Sequence, residues 1–164
     1  MDPSLDVLGK KQAEDVAQRL QPLGPLAILS SPLARARETA APLAKFWGRE
    51  PMIEHAVAEI PSPTDNLDDR ITWLRQFMAG SWTSAAASLA AWRQAAITAL
   101  VSRREDTVIF SHYVALNVAV GAAEGDDRVV VFSPDNCSIT VFDIENGMLQ
   151  VVEKGQEAPL TRVN

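Results

Sequence analysis

Two short apolar runs constrain the fold more than anything else in the chain: "LAILS" at 26–30 and "TVIFS" at 107–111. Each is too short for a stable helix, is bounded by turn residues, and is continuously apolar rather than alternating. That is the pattern of a strand buried on both faces. Each ends in serine, and a helical pattern follows each one. Strands interleaved with helices predict an α/β layered domain with a mainly parallel sheet and an antiparallel C-terminal hairpin at its edge. In open sheets of this kind ligands gather beyond the carboxyl ends of the strands. Ser31 and Arg35 follow one run and His112 follows the other, so the topology aims all three at one edge.

The remaining segments fill in around that pair. Asp6 is a cap for a helix whose Ala13, Val16, Ala17 and Leu20 recur at helical spacing, ended by "LGP" at 23–25. Ser31 and Pro32 offer an N-cap and a favoured first helical residue, opening a helix to about Trp47. "PMIEHAVAEI" reads as a short strand or an extended loop, and the prolines of "PSPTDN" exclude regular structure. Leu67, Ile71, Leu74 and Phe77 mark an amphipathic helix that "DNLDD" caps, and another helix runs from about Ser84 to Arg103. "VALNVAVGAA" is a small-residue helix. "RVVVF" and "SITVFDI" read as strands, and the Asn-Gly of "ENGM" forms a tight hairpin with "LQVVEK". No repeat or linker divides the chain, so residues 1–164 are read as one domain.

The formal net charge is -6, which argues against general attraction to nucleic acid or anionic membrane. Any anion site must therefore be a local concentration of positive charge. No stretch approaches the length of a membrane span, and "SAAASLAAWRQAAITALV", interrupted by Arg93 and Gln94, reads as a packed helix. The single Cys137 excludes an internal disulfide and suits a reducing compartment; the expected location is the cytoplasm. One cysteine and two distant histidines fit no zinc spacing, and no Gly-rich phosphate loop is present.

The sequence "SSPLARARET" places arginines at the end of a helix that is already positive, where cations are normally disfavoured. An N-cap serine, first-turn amides and Arg35 together make a pocket for an anion, with phosphate its natural occupant. The same spacing fits a surface pair of Arg35 with Glu38. His112 fits either a hydrogen-bonded structural histidine or a group that donates to phosphate. Glu59 is a candidate general acid if the proline-rich loop folds over the site, and otherwise a solvated carboxylate. His55 reads as surface or half-buried, without a catalytic role. Trp73 and Trp82 read as packing residues or as a substrate wall.

In order, these pieces resemble the histidine phosphatase superfamily, the phosphoglycerate mutase-like proteins. "DPSLDVLGKKQAEDVAQRL" is similar to the family's Asp-x-x-Leu-Thr-x-x-Gly-x-x-Gln-Ala segment, with Asp6 in place of threonine. "SSPLARARET" matches its Ser-x-Leu-x-Arg-Ala-x-x-Thr motif at Ser31, Leu33, Arg35, Ala36 and Thr39. "AEI" resembles its Glu-Ile step, "VIFSH" its late Ser-His step, and "DNCSITVFDI" its closing strand.

The resemblance implies a three-layer α/β/α sandwich and phosphomonoester hydrolysis through a phosphohistidine. It makes Arg35 the later phosphate-binding arginine, His112 the second histidine and Glu59 the acid, with Arg37 left on the helix surface. No cofactor or metal is implied, because arginine and histidine neutralise the charge. The implied ligand is a small phosphorylated molecule. The family opens with a strand ending in Arg-His-Gly, and no Arg-His-Gly occurs in these 164 residues. The chain is therefore expected to be truncated at its N-terminus relative to the family and inactive as written, with a phosphate-binding pseudophosphatase as the alternative. The vacant inner-strand position is expected to be filled by a rearranged segment or a partner chain, or else to leave the sheet defective. Self-association is one expected consequence. Tyr113 stands where the family usually has glycine, which narrows that side of the pocket.

Overall fold

The computed structural model describes residues 2–159. Helix α1 spans Val7–Leu20 and is started by Asp6, whose carboxylate accepts from the Gly9 N–H at 2.7 Å. Strand β1 spans Ala27–Ser30 and helix α2 spans Ala34–Trp47; α2 ends at Gly48 in the left-handed region. A two-residue strand, β2, spans Met52–Ile53, and a 3-10 turn follows at His55–Val57. Helices α3 (Leu67–Met78) and α4 (Ala87–Val101) flank a second 3-10 turn at Trp82–Ser84. Strand β3 (Thr107–Phe110), helix α5 (Tyr113–Glu124) and the hairpin β4 (Val141–Glu145) and β5 (Met148–Glu153) complete the order.

The two serine-ended runs lie side by side. The parallel sheet has the order β2-β1-β3, with Ala27 through Ser30 in register with Thr107 through Phe110. Their carboxyl ends therefore finish level. Val16, Ala17 and Leu20 of α1 and Ala40 and Leu43 of α2 pack with Ile28 and Phe110 in one core cluster. A second cluster joins Ile60, Trp82 and Ala96 to Val114 and Val118 of α5. Trp82 is thus a packing residue, stacked with Trp92, and Trp73 packs against the same cluster. Helix α5 is apolar nearly all round, as a helix held between other elements must be. Among the described residues no helix is long and apolar enough to cross a membrane.

Three sequence expectations are corrected. "RVVVF" is not a strand. The N–H groups of Val131 and Phe132 bond to the Oδ1 of buried Asn117 at 2.7 and 3.1 Å, and the Val129 N–H bonds to the Gly80 carbonyl at 3.1 Å. Apart from one isolated antiparallel bridge between Arg128 and Ser81, the segment joins no ladder, because a side chain takes the amides of Val131 and Phe132. "SITVFDI" is strand only from Val141 onward. The hairpin, turned by Asn146 and Gly147 at φ 52 and 76, forms its own two-stranded sheet instead of extending the parallel one.

The break lies beside β3. Ser31 N–H bonds to the Phe110 carbonyl, so the amides of Phe110 and Val108 face β1 and those of Ile109 face away from it. Among the described residues β3 pairs with β1 alone. Cys137, at φ 55, and Ile139, in the segment before β4, pack against the cluster that contains Phe110.

Candidate functional site

The level ends of β1 and β3 set the geometry. Ser31 is fully buried; its N–H holds the Phe110 carbonyl at 3.0 Å and its Oγ accepts from the Leu33 N–H at 3.2 Å. That places the Ser31 hydroxyl 2.7 Å from His112 Nε2, a side-chain hydrogen bond between residues 81 apart in the chain. Ser31 is not the cap of α2, as the sequence suggested. The helix begins at Ala34, and the Ala34 N–H is bonded by both carboxylate oxygens of Asp2, at 2.8 and 3.0 Å. A bend through Pro32 and Leu33 lies between serine and helix, which frees Ser31 to face the histidine.

Glu59 arrives from a third direction. The Glu54 N–H bonds to the Ser30 carbonyl at 2.9 Å, and Ser111 Oγ donates to the Val57 carbonyl at 2.7 Å. The turn carrying residues 55–57 is thereby tied to the ends of both β1 and β3. Two residues on, the Glu59 carboxylate accepts from the Ile60 N–H at 3.0 Å and lies near enough to the backbone N–H groups of Val114 and Ala115, in the first turn of α5, for them to favour its charged form. His112 occupies the N-cap position of that helix, and its carbonyl accepts from the Leu116 N–H. Carboxyl and imidazole therefore share one helix terminus.

The electrostatics follow from burial. Desolvation pushes the Glu59 carboxyl above the usual range, against the lowering effect of its amide donors and of Arg35. Burial, aided by the Arg35 charge, depresses His112 from 6.5 to about 4, while the Asp2 charge opposes that shift. The ring is neutral at physiological pH. Half-buried Arg35 thus acts on both titratable groups of the site. An arginine, a buried serine hydroxyl, a neutral imidazole and a carboxyl with raised affinity for its proton make an arrangement suited to holding an oxyanion and protonating a leaving oxygen.

The other residues singled out lie elsewhere. Arg37 is exposed, as expected, and His55 sits exposed in its 3-10 turn. Glu38 does not pair with Arg35; its carboxylate takes the Leu5 N–H at 2.8 Å and a hydrogen bond from Ser4. Tyr113 opens α5, and its hydroxyl donates to Ser133 Oγ at 3.3 Å. Among the described residues no cluster of three or more histidine, cysteine or acidic side chains is arranged to hold a metal. Sequence reasoning gave no role to Asp2, Ser111 or Asn117, although Asp2 and Ser111 stand inside motifs quoted above; the partner of each lies 14 to 54 residues away.

Comparison with known proteins places the chain in a family and a fold. The sequence profile of the histidine phosphatase superfamily (branch 1) matches residues 1–157. Phosphoserine phosphatase from Entamoeba histolytica, solved in complex with 3-phosphoglyceric acid, aligns at a TM-score of 0.76 and 21% identity, over 97% of this chain and 87% of that one. A mutant of a phosphoserine phosphatase from the same organism, in complex with phosphoserine, aligns at 0.71 and 25% identity over 93% and 84%. Bacillus stearothermophilus YhfR aligns at 0.74 and 22% identity over 96% and 87%. The PE-PGRS family protein PE_PGRS11 of Mycobacterium tuberculosis is 42% identical over 59 residues, and the match spans 35% of this chain but only 10% of that protein. With its profile matched along nearly the whole length and its strands, helices and late Ser-His step in the family's order, this chain belongs to the histidine phosphatase superfamily.

Proposed function

We propose that the chain binds the phosphoryl group of a small phosphomonoester at the edge formed by Ser31, Arg35 and His112. Glu59 stands on the leaving-group side in the role of acid. The observation that carries this reading is the 2.7 Å bond between His112 Nε2 and Ser31 Oγ at a strand edge where the Arg35 charge acts on both His112 and Glu59. Proteins of similar fold that are described with phosphoserine and 3-phosphoglyceric acid support a small, anionic phosphomonoester as the ligand class.

Binding and turnover part company in these 164 residues. The family's route needs a histidine free to attack phosphorus. His112 has its Nε2 engaged by a buried serine, and His55 is exposed in a separate turn. Without a nucleophile no phosphoenzyme forms, and a positioned acid and arginine alone do not replace it. The chain is read as a phosphate-recognising member of the family that turns its ligand over slowly or not at all.

Two measurements on the 164-residue chain test this. Titration with inorganic phosphate followed by 31P NMR is expected to show saturable binding that Arg35→Ala weakens by about tenfold to a hundredfold, the worth of a hydrogen bond to a charged group. Hydrolysis of phosphoserine and p-nitrophenyl phosphate is expected at the buffer rate. Turnover that disappears in Arg35→Ala would overturn the inactivity, and absence of phosphate binding would overturn the site.

A further inference from the structure

The first amide of α2, at Ala34 one residue before Arg35, is not open to a ligand. Both oxygens of the Asp2 carboxylate hold the Ala34 N–H, so a negative charge is already fixed at the residue before Arg35. Nearby bonds keep it there. The Leu5 N–H and Ser4 bond to Glu38, one turn along α2 from Arg35, and Asp6 caps α1 at Gly9. Residues 2–6 thus run as a strap from the mouth of the site to the start of α1. Asp2 is close enough for its charge to act on His112 as well.

We infer that Asp2 is a built-in counter-anion of the phosphate site, which occupies one of its amide donors and lowers its affinity for phosphate. This rests on the phosphate-binding reading of Arg35, Ser31 and His112. The physical argument is direct. A helix terminus and a guanidinium attract anions because their partial and full positive charges are unopposed. Here an acidic side chain of the same chain opposes them, and an incoming phosphate dianion must approach a carboxylate beside the group that binds it. The repulsion is between partly solvated charges, so salt screens it. A ligand that carries a cationic group beside its phosphate escapes much of the penalty, whereas inorganic phosphate bears all of it.

The ordinary alternative is that Asp2 only caps α2. The two are separated by Asp2→Asn and Asp2→Ser, which keep an oxygen able to accept from the Ala34 N–H but remove the charge. Phosphate titration by 31P NMR at low ionic strength is expected to give binding about threefold to tenfold tighter in both variants than in the wild type. The difference is expected to shrink in high salt. Equal or weaker binding in the variants, with Arg35→Ala still weakening binding as above, would overturn the role of Asp2 and leave the site standing. Failure of wild type and both variants to bind phosphate would overturn site and counter-anion together. Failure of both variants to fold, read by circular dichroism, would also overturn the inference, since it would assign Asp2 to the fold alone.

Discussion

His112 is held neutral by burial and by the Arg35 charge, which act in the same direction, and Asp2 only partly offsets them. The sign of the pH dependence follows. The folded-state value is depressed from 6.5 to about 4, so the favourable contribution of the neutral ring is complete above about pH 6.5 and is lost as pH falls toward about 4. At about 1.4 kcal/mol per pH unit, the loss amounts to about 3 kcal/mol at the acid end. Urea unfolding between pH 7 and pH 4 is expected to show this decline, and His112→Gln is expected to flatten it. An unchanged profile in the variant would place the acid sensitivity on other groups. The raised carboxyl of Glu59 acts the opposite way, since a group that binds its proton more tightly when folded favours the fold at low pH.

At the scale of elements, α5 does two jobs through residues one turn apart. Its N-terminus places His112 and receives the Glu59 carboxylate, and Asn117 in the next turn fixes the chain that follows. The Asn117 side chain is fully buried; its Nδ2 donates to the Tyr113 carbonyl and its Oδ1 takes two backbone N–H groups. Truncation to alanine strands both of those donors in a closed space. Each unsatisfied group costs about 1–3 kcal/mol, so Asn117→Ala is expected to destabilise by about 2–6 kcal/mol in urea unfolding. By contrast, Asn66→Ala removes only an exposed cap of α3 and is expected to cost about 1 kcal/mol. Similar losses for the two variants would count against Asn117 as the latch of residues 131–132.

The whole molecule carries one visible discontinuity. Among the described residues the parallel sheet stops at β3 and the hairpin stands as a separate sheet, while Cys137 and Ile139 of the intervening segment pack against the core cluster that contains Phe110. The hairpin exposes Val141, Ile144, Met148 and Val152, the last two at 60% and 59%. Unpaired strand edges beside exposed apolar side chains promote pairing with another chain. We propose that the chain self-associates through this region. Sedimentation velocity is expected to show association that rises with concentration across the micromolar range and that Ile144→Lys suppresses. A monomer throughout that range would refute it.

Much of this was legible before any coordinates. The buried strands, the amphipathic face of α1, the caps at Asp6 and Asn66 and the Asn-Gly turn are each set by residues within one turn or one strand of each other. Local sterics and hydrophobic periodicity decide them. The motif residues Ser31, Arg35 and His112 could be aimed at one edge because parallel strands turn their carboxyl ends to the same side of the sheet. Tertiary structure alone decided the rest. "RVVVF" has every local mark of a strand, yet Asn117 takes its amides; Ser31 has every mark of a cap, yet Asp2 caps the helix while the serine turns to His112. In both cases a polar partner distant in sequence competes for the same backbone group, and only the packed chain determines which partner is within reach.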